Sequence, residues 1–178
     1  TSMQYARAFF ETIPFDAITV APYMGADSVQ PFLQYPGKWA IVLGLTSNKG
    51  AADFEMKKLL NEDGTTNYLY EQVLKTVSAW GSPDNLMFVI GATQGSELAN
   101  VRSICPEHFF LVPGVGAQGG SLKEISERAL TADGGLLVNV SRAVIYASSG
   151  LDFAEQAGAA AQQYQQEMAG YLTSINQL

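Results

Sequence analysis

Five short apolar runs punctuate the chain: Ala17–Val20 (AITV), Trp39–Leu45 (WAIVLGL), Leu86–Ile90 (LMFVI), Phe109–Val112 (FFLV) and Leu136–Val140 (LLVNV). They are largely continuous rather than alternating, the pattern of parallel strands covered on both faces. Between them the apolar spacing becomes helical. Thr1–Glu11 opens with T-S-M-Q, a capping-box pattern. Tyr68–Trp80 places Leu69, Val73, Val77 and Trp80 on one stripe, and both Trp39 and Trp80 read as core. Gly95–Ile104 and Ser121–Leu130 follow. Asp152 to about Leu172 begins D-x-x-E and carries Phe153, Ala157, Ala160, Tyr164, Met168 and Tyr171 on one face.

A helix and then five strand–helix units predict an α/β fold with a parallel sheet. No linker or composition break interrupts residues 1–178, so one domain is expected. A doubly wound sheet is complete with five strands, whereas a (β/α)8 barrel takes eight strands and roughly 250 residues. Periodicity alone leaves both open. The segment Gly50–Asn67 exceeds what a strand–helix connection needs. Its NEDG allows a small hairpin or a lid, and a solvated insertion is the plainer expectation.

Composition narrows the function. The chain has 178 residues, 47% hydrophobic, enough for a substantial core. Its net charge of −7 disfavours a general nucleic-acid binder but leaves room for a small anion held by local cations and backbone dipoles. A single cysteine, Cys105, excludes an internal disulfide. The opening TSMQYARAFFETIP has no signal-peptide core, and no apolar run reaches the roughly 18 residues of a membrane span, so a soluble cytoplasmic protein is expected. Cys105 and His108 form C-x-x-H with no further His or Cys, too few ligands for zinc, and a structural role is expected for both. Glu55, Glu62 and Asp63 read as a solvated face, and Asp27 as a helix N-cap.

The chemistry gathers at LVPGVGAQGGS, where Gly114, Gly116, Gly119 and Gly120 stand between a strand and a helix. The spacing matches neither G-x-G-x-x-G nor G-x-x-x-x-G-K-[ST]. Bare backbone there lets N–H groups approach an anion. Arg142, just past the next strand, offers a bidentate fork, and Gln118 a neutral donor. Consecutive strand ends bearing these groups point to a phosphate.

VPGVGAQGG, followed some twenty residues later by VSRAVIYA, resembles the orotidine 5′-monophosphate decarboxylase family in its longer bacterial branch. TSMQYARAFFE, ITVAPYMGADSVQPF and IVLGLTSNKG agree, in order, so the resemblance covers nearly the whole chain. It implies a (β/α)8 TIM barrel with only the last five strand–helix units in this chain. It also implies the properties of the family: usually a homodimer, turning orotidine monophosphate into UMP without metal or organic cofactor. By resemblance Gln118 and Arg142 match the phosphate contacts, with Gly119 and Gly120 in the same loop. Pro113 and the Ser141 backbone match positions lining the nucleotide, although Ser141 replaces the glycine of the shorter branch. Ser47 matches a residue that contacts the pyrimidine.

The family's D-x-K-x-x-D motif is absent from this sequence. The resemblance gives its lysine the task of stabilising and protonating the C6 carbanion, and its last aspartate comes from the partner subunit. Thr1 matches a threonine just after that motif, so the expectation is no catalytic residue in this chain and an N-terminal segment of the same protein that carries them. Thr1 itself reads as an N-cap, and by resemblance as a contact across the dimer; Lys49 is a weak candidate to replace the lysine. Two alternatives stand beside this reading: a related keto-gulonate-phosphate decarboxylase using magnesium, and a non-catalytic phosphate-ligand module or stand-alone five-stranded α/β domain.

Overall fold

The computed structural model describes residues 1–116 and 119–175. Seven strands form: β1 (Ala17–Val20), β2 (Trp39–Leu45), β3 (Lys58–Leu60), β4 (Thr66–Tyr68), β5 (Leu86–Ile90), β6 (Phe110–Val112) and β7 (Leu136–Val138). Five of them make one sheet in the order β1-β2-β5-β6-β7, with every pair parallel. Each sheet strand therefore lies beside the next one in the chain. A doubly wound sheet reverses its strand order at a switch point, and this sheet has none. That order settles what periodicity left open: the sheet is an arc of a β/α barrel, part of the barrel and not all of it.

The runs that read as strands do so because both faces are covered. Val42, Leu45, Leu86, Phe88, Ile90, Phe110 and Val112 are each 0% exposed. The helices α3 (Leu69–Ser78), α4 (Leu98–Ile104) and α5 (Leu122–Ala129) contribute Tyr70, Leu74, Val77, Leu98, Val101 and Ile125 to the same core cluster. A smaller cluster of Ala6, Phe10, Phe32 and Ala40 joins α1 (Ser2–Arg7) and the π-turn after it to α2 (Ala26–Leu33) and β2. The short α6 (Arg142–Ile145) and the long α7 (Phe153–Ile175) follow.

Several local expectations change. Thr1 gives only its carbonyl to α1, accepting from the N–H groups of Gln4 (3.0 Å) and Tyr5 (3.3 Å), and its side chain makes no cap. The cap of α2 is Gly25, whose φ of 91° suits glycine alone, and Asp27 sits in the first turn, where its charge still favours the helix dipole. The buried face of α3 is Tyr70, Leu74 and Val77; Leu69 and Val73 line an apolar cavity of about 410 Å³ instead. Trp39 and Trp80 are half-buried rather than core. Residues 50–67 are not a shapeless insertion: a 3-10 turn (Lys49–Asp53) leads into the antiparallel hairpin β3–β4. Gly64 takes φ of 83° in its turn, and Asp63 accepts from both the N–H (2.9 Å) and hydroxyl (2.6 Å) of Thr65.

At the amino ends of β6 and β7 one half-buried arginine ties several segments together. The Arg102 guanidinium stacks 3.8 Å from the Phe110 ring centroid. It donates to the carbonyls of Ala129 (3.0 Å), Cys105 (2.9 Å), His108 (2.7 Å) and Gly135 (3.0 Å). Burial pulls it down to about 10 and pushes the Cys105 thiol up to about 11. His108 is 7% exposed, lies beside Phe88, and has no partner for either ring nitrogen among the described residues. Burial, then the Arg102 charge, lowers its pKa below the ordinary 6.5. The unfolded chain thus takes up a proton near pH 6.5 that the folded chain still refuses, so stability declines as pH falls below that value. Thermal melts between pH 7.5 and 5 will show this decline, and His108→Met will flatten it; an unchanged slope in that variant contradicts the assignment.

Candidate functional site

In a parallel β/α sheet the loops after the strands share one rim, where ligands bind. Beyond β2 the rim begins at Thr46 and Ser47. The Thr46 N–H donates to Glu55 Oε2 (2.6 Å), its hydroxyl lies 2.8 Å from Glu55 Oε1, and its carbonyl accepts from Gln94 Nε2 (2.9 Å). The Ser47 carbonyl accepts from the Thr93 hydroxyl at 3.2 Å. Glu55 is therefore no solvated acid but a clasp on the strand end. Gly91, past β5, is a glycine for steric reasons: a Cβ there would lie 2.6 Å from the Ser47 nitrogen and 2.7 Å from its Cα.

Beyond β6 the Pro113 carbonyl accepts from the Ala92 N–H at 2.8 Å. The glycine loop then turns back on itself. Gly114, Gly116 and Gly119 have φ of 97°, 77° and 89°, a region open to glycine. The Gly116 N–H donates to Gly120 O (3.1 Å), Gly119 N–H to Gly116 O (2.8 Å) and Gly120 N–H to Gly114 O (3.1 Å). This corrects the expectation that the Gly119 and Gly120 amides face a ligand: they close the loop. The glycines also permit close packing, since a Cβ on Gly120 would collide with Ala92, and one on Gly116 would lie 2.7 Å from the Tyr164 hydroxyl and 3.2 Å from the Ala143 Cβ. Gln118 lies outside the described residues.

Beyond β7, the Asn139 N–H reaches Val112 O (3.0 Å) and the chain enters α6 at Ser141. The Ser141 carbonyl accepts from Val144 (3.1 Å) and Ile145 (2.8 Å). Arg142 is exposed and joins none of the four ion pairs found among the described residues.

The rim is continuous: Ser47 packs on Gly91, Ala92 bonds Pro113 and packs on Gly120, and Gly116 faces Ala143 beside Arg142. The structure thus brings Ser47, Pro113, Gly119, Gly120, Ser141 and Arg142 to one edge. Thr1 stands apart, exposed at the start of α1. Sequence reasoning missed Thr46, Glu55, Thr93 and Gln94. Polar residues directly after apolar strands, in LTSN and IGATQG, were the available signal for three of them; nothing marked Glu55. Among the described residues no group of three or more His, Cys, Asp or Glu is placed to hold a metal, and no helix is long and apolar enough to cross a membrane.

A family model described as "Orotidine 5'-phosphate decarboxylase / HUMPS family" matches residues 1–157. The chain belongs to this family. The orotidine 5'-phosphate decarboxylase of Parabacteroides distasonis is 54% identical over 172 residues, covering 97% of this chain and 60% of the relative. That of Bacteroides fragilis is 50% identical over 175 residues, 98% of this chain and 62% of the relative. The solved structure of Leishmania donovani OMP decarboxylase matches with a TM-score of 0.81 at 38% identity, over 97% of this chain and 63% of that one. The chain therefore spans about three fifths of the length of the curated relatives it matches.

Proposed function

We propose that the protein decarboxylates orotidine 5′-monophosphate to UMP in pyrimidine synthesis, and that this chain supplies the grip on phosphate and pyrimidine. The observation that carries the reading is the continuous rim, with an exposed Arg142 that forms no ion pair among the described residues beside a self-closed glycine loop, in a chain about half identical to curated decarboxylases of that name. Arg142 forks onto two phosphate oxygens, and Gln118 and the Ser141 amide add donors. Gly119 and Gly120 hold the loop's shape rather than donate. Pro113 forms the wall of the nucleotide site and Ser47 meets the pyrimidine.

Loss of carbon dioxide leaves an electron pair on the ring carbon that a proton must quench. Binding energy from the distant phosphate is the means by which such a site offsets the ordering of its reacting end. The proposal assigns the lysine–carboxylate chemistry to the part of the relatives that this chain does not span. It further takes the protein to be a cytoplasmic homodimer in which Thr1 reaches the neighbouring site.

The relatives' names favour the pyrimidine nucleotide over a keto-gulonate phosphate. Calorimetric titration tests the grip: UMP will bind at least about 100-fold more tightly than uridine, without added magnesium. Equal affinities, or binding that needs the metal, would overturn the reading.

A further inference from the structure

We propose that Glu55 and Thr93 are positioning residues for the pyrimidine end of the site, acting through the Thr46–Ser47 peptide. The inference rests on the reading of Ser47 as the pyrimidine contact. Ser47 lies beyond the last ladder bond of β2, where a backbone is ordinarily free to swing. Here side chains pin it from two directions. From residues 50–67 comes Glu55, whose carboxylate takes the Thr46 N–H at 2.6 Å and approaches the Thr46 hydroxyl at 2.8 Å. From the β5 end come Gln94, bonded to the Thr46 carbonyl, and Thr93, bonded to the Ser47 carbonyl.

The Glu55 clasp has a firm base. Its own carbonyl accepts the Tyr70 N–H at 2.9 Å, and Lys57 O accepts the Leu69 N–H at 2.8 Å, so the segment is bonded to the first turn of α3. Glu55 also borders the apolar cavity lined by Leu43, Phe54, Leu69 and Tyr70. Apolar surroundings strengthen its two bonds to Thr46 and make their loss costly. A second contact of the Thr46 hydroxyl fixes the protons: it lies 2.6 Å from Asn48 Oδ1 as well. One hydroxyl proton cannot serve two acceptors, so with Glu55 ionised the Asn48 amide turns its nitrogen to the hydroxyl. The segment that lengthens the β2–α3 connection thus reaches back to fix the rim residue nearest the base.

The test uses the intact protein with two probes, UMP and ribose 5-phosphate, the second having phosphate but no base. Glu55→Ala will weaken UMP about tenfold and leave ribose 5-phosphate within about twofold of wild type. Glu55→Gln will restore UMP, because its oxygen can accept the Thr46 N–H while its nitrogen donates to the Thr46 hydroxyl, whose proton then goes to the Asn48 Oδ1 once that amide turns its oxygen back to the hydroxyl. Thr93→Val, a change at an exposed position on another element, will reproduce the selective loss and guards against an alanine variant that fails to fold. A Glu55→Ala protein that binds both probes like wild type overturns the proposal, as do an equal loss on both probes and a glutamine variant no better than alanine. Wild-type protein that binds neither probe overturns the nucleotide reading itself, and Ser47→Ala indistinguishable from wild type on both probes overturns the Ser47 assignment on which the clasp depends.

Discussion

Arg142→Ala will weaken UMP binding by about 100-fold or more while leaving the melting temperature unchanged. Both halves follow from the position of the side chain. Two charge-assisted bonds to phosphate are lost together, each stronger than a neutral hydrogen bond. The fold loses nothing, because Arg142 is exposed and pairs with no carboxylate among the described residues. Arg142→Lys keeps the charge but not the planar fork, and an intermediate loss of about tenfold is expected. Uridine affinity will not change in either variant, since it has no phosphate to lose. Titration of UMP and uridine into the three proteins checks the affinities, and a thermal melt of each checks the stability.

Arg102→Leu will have the opposite profile, lowering stability by about 3–5 kcal/mol, roughly 10 °C or more in melting temperature for a chain of this size. The change strips donors from the carbonyls of Ala129, Cys105 and His108, leaving buried acceptors unmet. Gly135 O suffers less, because it also accepts the Phe110 N–H at 2.9 Å. Lysine cannot span these acceptors from one ammonium or stack on Phe110, so Arg102→Lys recovers only part of the loss. Chemical denaturation monitored by circular dichroism measures both. A variant within about 0.5 kcal/mol of wild type would show that water replaces the guanidinium there.

The fold was legible where burial forces pattern. Strands covered on both faces left continuous apolar runs, and all five read from them are present. Strand order was not legible, because both architectures bury the same kind of strand and only pairing separates them. Ends of elements were harder still. Thr1 and Asp27 are good capping residues in composition, yet α1 uses only a carbonyl and α2 is capped two residues before Asp27, by a glycine with positive φ. The tilt of α3 could not be read either, since Leu69, Tyr70, Val73 and Leu74 are apolar on adjoining stripes and the cavity beside β2 decides which face is sealed.

The site divides the same way. Arg142 stood out because it lies just past the last apolar run, and Ser47 through the family resemblance alone. The glycine loop stood out too, but for a partly mistaken reason: its amides satisfy one another, and glycine is required there by φ and by close packing against Ala92, Ala143 and Tyr164. Glu55 was hidden because its partner is nine residues away, in a segment whose hairpin brings it back to the rim. Arg102 was hidden because an arginine on a short helix gives no hint that carbonyls from several segments converge on it.

The central claim is that this rim serves the decarboxylation of a pyrimidine nucleotide. The most direct measurement is the conversion of orotidine 5′-monophosphate by the intact protein, followed by released carbon dioxide and by UMP formed. The account predicts one carbon dioxide and one UMP per substrate consumed, without added metal, and a marked loss of turnover in Arg142→Ala. No conversion by folded intact protein that binds UMP would contradict it.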